Sequence, residues 1–203
     1  TAFIVRDQMT RLQVGTDSSH TIEFGTSYNL THTGDTIKIA FGLEWDLTNL
    51  VIGDLSLIDD TGSPLTLSNT GPDTDTWGLT WPVVGNLLVF TAPTNEGSGQ
   101  YILADSVITL VIDEGAILNP ANPESYQIGI RMDSVASGVP YSETGTISVP
   151  IVDSDTVDVK GYVNAYIHFD IDTGIGSGLG VSPLIDCDFS TCKIHGGTNA
   201  AAG

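Results

Sequence analysis

Apolar residues recur at every second position of this chain, in short runs broken by clusters of Gly, Asn, Asp and Pro. Residues 36–45 show it most cleanly: Ile37, Ile39, Phe41, Leu43 and Trp45 share one parity, and Lys38, Ala40, Gly42 and Glu44 take the other. A strand turns successive side chains to opposite faces, so this pattern predicts a half-buried strand with one apolar face. The same logic predicts strands over residues 20–26 (Ile22, Phe24), 54–59 (Leu55, Leu57), 76–81 (Trp77, Leu79, Trp81) and 86–91. It continues over 106–113 (Ile108, Leu110, Ile112), 125–133 (Tyr126, Ile128, Ile130, Met132) and 144–152 (Ile147, Val149, Ile151).

The breaks have turn chemistry, as in Thr33-Gly34-Asp35, Asp60-Thr61-Gly62-Ser63-Pro64 and Asn119-Pro120-Ala121-Asn122-Pro123. Seven or eight short strands spaced this way predict an all-β fold, an antiparallel immunoglobulin-like β-sandwich with an extended C-terminal strand and tail. The cysteine-tryptophan-cysteine pattern of antibody domains is absent, so the term describes architecture only. Residues 2–12 stay open: Val5, Met9 and Leu12 fall at helical spacing, Phe3 and Ile4 break that stripe, and an N-terminal strand or arm is the alternative. The chain has 203 residues, 40 % of them apolar, enough for one sandwich over residues 1–152, followed by residues 153–203 as a long strand and a Gly-rich, Cys-containing tail.

Six Lys plus Arg stand against 25 Asp plus Glu, a net charge of −19 with a pI near 4.1. Such a surface repels phosphate backbones and anionic lipid, which argues against nucleic acid and membrane surfaces as partners and leaves cations as good ones. Acidity also serves solubility alone. No apolar run approaches the 18 residues or more of a spanning helix. The chain begins at Thr1 without a leader, as a processed mature protein would and as a piece of a longer one also would.

From Val157 onward the alternation runs unbroken for about 15 residues, or roughly 50 Å at 3.3 Å per residue, against the 17–20 Å of ordinary sandwich strands. One parity reads Val157, Val159, Gly161, Val163, Ala165, Ile167, Phe169, Ile171. The other reads Asp158, Lys160, Tyr162, Asn164, Tyr166, His168, Asp170, Asp172. Three arrangements account for it. The segment bends between the sheets of its own domain at Gly161, it opens a second domain, or its apolar face completes the sheet of a neighbouring subunit by strand addition. In the last case Val157, Val159, Val163, Ala165, Ile167, Phe169 and Ile171 are the subunit-contact residues.

The segments DQMTRLQVGTDSSHTIEF, GDTIKIAF, LNPANPESYQIGI and VPIVDSDTVDVKGYVNAYIHFDID span most of the chain, and with them it resembles secreted immunoglobulin-like β-sandwich surface proteins of uncultivated bacteria. The resemblance implies export and β architecture, with further β structure after HFDID in that group, and a surface-fibre subunit as one form. No activity comes with it.

Candidate chemistry is sparse. Glu44 and Asp46 flank Trp45 as a carboxylate pair, which a strand would place on its solvated face. His20, His32, His168 and His195 are scattered, and no Gly-x-Ser-x-Gly elbow or phosphate loop occurs. Asp170-x-Asp172-x-Gly174 opens like a calcium loop but has Val181 where the bidentate Glu belongs. Asp153-x-Asp155-x-x-Asp158 and Asp73-x-Asp75 are of the same grade, and a solvated acidic turn is the alternative for each. Cys187 and Cys192 enclose four residues and suit a small disulfide loop in an oxidising compartment. With His195 they supply three of four zinc ligands, the less favoured alternative. Asn29-Leu30-Thr31 is a glycosylation sequon, and Tyr162, Tyr166 and His168 offer a one-sided aromatic face for sugar or for packing.

The expectation is therefore an extracellular, cell-surface protein without catalytic activity, a homo-oligomer or filament subunit joined through residues 156–172. The alternative is a monomeric calcium-dependent adhesin or carbohydrate-binding module for a glycan or host-surface ligand.

Overall fold

The computed structural model describes residues 3–83, 85–96, 99–135 and 140–156. Ten strands appear in it: β1 (Phe3–Met9), β2 (Asp17–Gly25), β3 (Thr36–Phe41), β4 (Leu55–Ile58), β5 (Leu67–Ser68), β6 (Trp77–Val83), β7 (Leu87–Thr91), β8 (Val107–Leu118), β9 (Ser125–Ser134) and β10 (Tyr141–Pro150). A 3-10 turn, Ile52–Asp54, precedes β4, and among the described residues no helix is long and apolar enough to cross a membrane.

Two sheets form. One runs β1-β2-β8-β4 and the other β10-β9-β3-β7-β6-β5, antiparallel throughout except for the short β5–β6 pairing. Ile37, Ile39 and Phe41 of β3, Ile128, Ile130 and Met132 of β9, and Leu88 and Phe90 of β7 come from the larger sheet. They join Ile22 and Phe24 of β2, Ile108, Leu110 and Ile112 of β8 and Leu57 of β4 in one buried cluster. Each such side chain contributes about 1.5–3 kcal/mol by leaving water. The fold is the all-β, immunoglobulin-like antiparallel sandwich that the alternation predicts.

Three details differ from the periodicity. Residues 3–9 are a strand, because β1 pairs antiparallel with β2 from Phe3↔Gly25 to Met9↔His20, and those sheet hydrogen bonds override the helical spacing. The run over 36–45 stops at Phe41. There Trp45 N–H donates to Gly42 O at 3.2 Å, so the chain turns, Leu43 faces solvent and Trp45 returns to the core. Finally, β8 continues to Leu118 through a wide bulge opposite Ser18 and His20 of β2. Asp113, Glu114 and Gly115 project outward there, and Gly115 supplies the positive φ of 93° that the bulge requires.

Candidate functional site

Three surfaces gather the chemistry of the described residues. The first is the seam where β1, an edge of the smaller sheet, runs beside β10, an edge of the larger one. Its concavity, about 220 Å³, is lined by Asp7, Met9, Leu12, Ile147, Ser148, Val149 and Pro150. Like Ile52, Leu67 and Trp81 elsewhere, Val5, Met9, Leu12 and Val14 pack against the core here and are only partly buried. Asp7 lies among them, and its carboxylate turns inward to His20, Oδ2 to Nδ1 at 2.8 Å, with 1 % and 0 % of the two side chains exposed. The ring of His20 meets Phe41 and Trp45 edge-on at centroid distances of 5.5 and 5.3 Å. Asp7 Oδ1, His20 Nε2 and Trp45 Nε1 are buried without a hydrogen-bond partner.

The second surface is the end of the sandwich at the β2–β3 and β7–β8 connections, the end of β9 and the start of β10. Tyr28 and Tyr141 stack there with centroids 4.4 Å apart and planes 19° from parallel, each more than a third exposed, and Leu103 and Val135 also face water. Two buried carboxylates tie described segments of this end together. Asp35 accepts the backbone N–H groups of Thr31, His32 and Val135 at 2.7–2.9 Å. Glu143, inward on β10, accepts Thr26 Oγ1–H and Ser27 N–H at 3.1 and 3.0 Å. Asn29 lies on this end, exposed, with Oδ1 accepting Ala104 N–H at 2.7 Å.

At the opposite end Leu43, Glu44, Trp45, Asp46, Leu47, Thr48 and Asn86 line a shallow concavity of about 280 Å³. The turn after β3 puts Glu44 and Asp46 here, not on a strand face. Thr48 donates its hydroxyl and its N–H to Asp46 Oδ1, at 2.7 and 2.9 Å, and these bonds hold that carboxyl below its ordinary range. A carboxyl kept ionised by local donors is a turn former, the reverse of the raised value that a general acid needs.

Among the described residues no three His, Cys, Asp or Glu side chains gather as a metal group. Asp73 bonds locally to Thr74, and Asp155 lies 3.5 Å from Arg11. Val157, Val159, Val163, Ala165, Ile167, Phe169, Ile171, the calcium candidates Asp170 and Asp172, the cysteines Cys187 and Cys192, Asp158, Tyr162, Tyr166, His168 and His195 lie outside the described residues.

The Asp7–His20 pair escapes a reading of motifs, although one sign of it is present. His20 has the parity of Ile22 and Phe24, which places a polar ring on an apolar face. The Tyr28–Tyr141 stack leaves no such sign, since one partner lies in the β2–β3 connection and the other begins the distant strand β10.

The fold and these surfaces define an antiparallel two-sheet β-sandwich of immunoglobulin-like architecture. No family model matches the chain, and no curated protein matches it by sequence. Among solved structures it is similar to the collagen-binding subdomain of the Enterococcus faecalis surface protein ACE, with a TM-score of 0.43 and 6 % identity over 72 % of this chain and 95 % of that one. It is also similar to a collagen-binding domain from a Staphylococcus aureus adhesin, with a TM-score of 0.39 and 10 % identity over 71 % and 97 % of the two chains. A third is self-complemented MyfA, the major subunit of Myf fimbriae from Yersinia enterocolitica, with a TM-score of 0.30 and 9 % identity over 74 % and 99 %. All three likenesses are loose.

Proposed function

We propose that this chain is an extracellular structural protein, a subunit that assembles at the cell surface into a fibre or layer, and that it acts without catalysis. One observation carries the reading. The strands from Phe3 to Pro150 build both sheets and bury the core, and the sequence after them carries a further apolar parity over residues 157–171. An apolar strand face left in water costs stability and invites pairing, and strand addition to another subunit satisfies both its side chains and its backbone. A surface carrying −19 suits an exported protein kept from indiscriminate aggregation. The test is light scattering and electron microscopy of the full chain against Ile167→Asp and Phe169→Asp. Loss of assembly with an unchanged thermal melt supports the reading, and assemblies that survive both substitutions overturn it.

A second reading, a monomeric adhesin or carbohydrate-binding module, is favoured by the exposed Tyr28–Tyr141 pair, because the apolar C–H face of a sugar packs on exposed aromatic rings. A glycan array distinguishes it. A monomer whose glycan signal disappears in Tyr28→Ala and falls on calcium chelation replaces the first reading.

A further inference from the structure

We infer that the free edge of β10 is the contact surface for a second copy of this chain, which adds its own β10 antiparallel about a two-fold axis through Gly145. Four strands end the two sheets, and three of them are guarded as edges usually are. β4 and β5 have four and two residues, and β1 is interrupted by a bulge between Phe3 and Val5 and carries the inward Asp7. β10 has none of these guards. Its ten residues pair with β9 in unbroken register from Tyr141↔Ser134 to Pro150↔Ser125, and among the described residues no strand pairs with its other side. Ile151 N–H donates to Glu124 O on the β9 side at 2.8 Å, whereas Val152 N–H turns the other way, to Leu12 O at 2.9 Å. Alternation along the strand therefore aims the backbone groups of Ser142, Thr144, Thr146 and Ser148 at the free edge.

The sequence of this edge selects a second copy as its occupant. About Gly145 the edge-facing positions read alike in both directions: Thr144 and Thr146, Ser142 and Ser148, Pro140 and Pro150. An isologous contact puts one patch against itself, so a strand with this symmetry matches its own copy residue for residue. Centred on Gly145, the pairing sets threonine opposite threonine and serine opposite serine. The prolines, which have no N–H to offer a neighbour, fall at its two ends. Charge points the same way. Two chains of −19 repel one another, yet the exposed side chains of β10 include no carboxylate. Glu143 turns inward to Thr26 and Ser27, and Asp133 of the neighbouring β9 is paired with Lys38 and Arg131. In the same register Tyr141 of one copy stands opposite Val149 of the other, beside Met9 and Leu12. The pairing thus brings the exposed Tyr28–Tyr141 stack of each copy to the open seam between β1 and β10 of the other. All of these residues belong to the described sandwich, so the contact is independent of the proposed assembly through residues 157–171.

The experiment uses the full-length chain with Cys187→Ser and Cys192→Ser as its background. Ser142→Cys and Ser148→Cys variants are oxidised mildly, separately and mixed, and run without reductant. Sedimentation of the background chain, of Phe169→Asp and of Thr146→Pro accompanies them. In the proposed register Ser142 of one copy lies about 5 Å from Ser148 of the other and about 20 Å from the other's Ser142. A disulfide dimer is therefore expected from the mixture and from neither variant alone. Sedimentation should show a dimer that survives Phe169→Asp and is lost in Thr146→Pro, since pairing with β9 uses no N–H at that position. Should Thr146→Pro not fold, Ser142→Lys with Ser148→Lys, which sets lysine against lysine across the contact, takes its place. A monomeric chain, a disulfide from Ser142→Cys alone, or a dimer lost in Phe169→Asp and kept in Thr146→Pro overturns the β10 pairing. The fibre reading stands or falls separately, on its own two substitutions.

Discussion

His20 Nδ1 lies 2.8 Å from Asp7 Oδ2, both side chains out of solvent, and this contact ties the edge strand β1 to the core aromatics Phe41 and Trp45. A buried pair of this kind is hard to lose by halves, because removing one partner strands the other in a low-dielectric interior. Asp7→Ala is expected to lower the unfolding free energy by about 2–4 kcal/mol in urea denaturation. The double substitution Asp7→Leu with His20→Phe is expected to recover much of that loss. A single substitution that costs less than about 0.5 kcal/mol, the scale of an ordinary surface change, would show that the pair does not secure β1.

The period of two located eight of the ten strands at least in part, because each strand's alternation is written within its own residues: Ile37, Ile39 and Phe41 need no distant information to be read as one face, whereas the two-residue β5 is too short to show a period. β1 was ambiguous because its central inward residue is an aspartate. Its pairing depends on His20, thirteen positions away, so no window on residues 2–12 contains the deciding fact. Sheet order was illegible for the same reason, since β2 pairs with β8 across about 90 intervening positions. The stop at Gly42 is also non-local: Asn86 Nδ2 donates to Gly42 O and Trp45 O, at 3.0 and 2.6 Å, and fixes the turn from another strand's end.

Asn86 has a second task, since it holds a positive φ of 54°, a conformation asparagine and glycine tolerate better than other residues. Asn86→Ala removes both hydrogen bonds and strains the backbone, and is expected to cost about 2 kcal/mol of stability. Asn86→Gly keeps the conformation and loses only the bonds, so its midpoint in thermal denaturation should fall between those of Asn86→Ala and the parent. Equal midpoints for the two variants would remove the backbone from the explanation.

Gly78 is packed against another stretch of backbone. A Cβ built there would stand 2.3 Å from Pro72 N and 2.7 Å from Gly71 C, and neither atom is the yielding tip of a side chain. Gly78→Ala is expected to destabilise the sandwich by about 1–3 kcal/mol, in the range of overpacked interiors. Gly53→Ala, where a Cβ meets nothing within 4 Å and φ is not positive, is the matched control and should leave the melting temperature unchanged. A control that falls as far as Gly78→Ala would make the loss a matter of glycine itself and not of the crossing.

Acid should weaken the larger sheet through Asp133. Partial burial pushes the Asp133 carboxyl up, but hydrogen bonds from Lys38, Arg131 and Ser142, with the charge of Lys38, outweigh it and set the carboxyl below its ordinary range. Lys38 Nζ stands 2.7 Å from Oδ2 and Arg131 Nε 2.8 Å from Oδ1, across the neighbouring strands β3 and β9. A depressed value in the folded state means that the unfolded chain takes up the proton first. The contribution is therefore fully present above the unfolded value, about 3.9, and is lost as pH falls below that toward the folded one. Replacing Asp133 with Asn should lower stability at pH 7 and flatten the acid limb of the stability curve between about pH 5 and pH 2 relative to the parent. Parallel acid limbs for the two proteins, measured by urea denaturation at each pH, would place the acid sensitivity on other carboxylates.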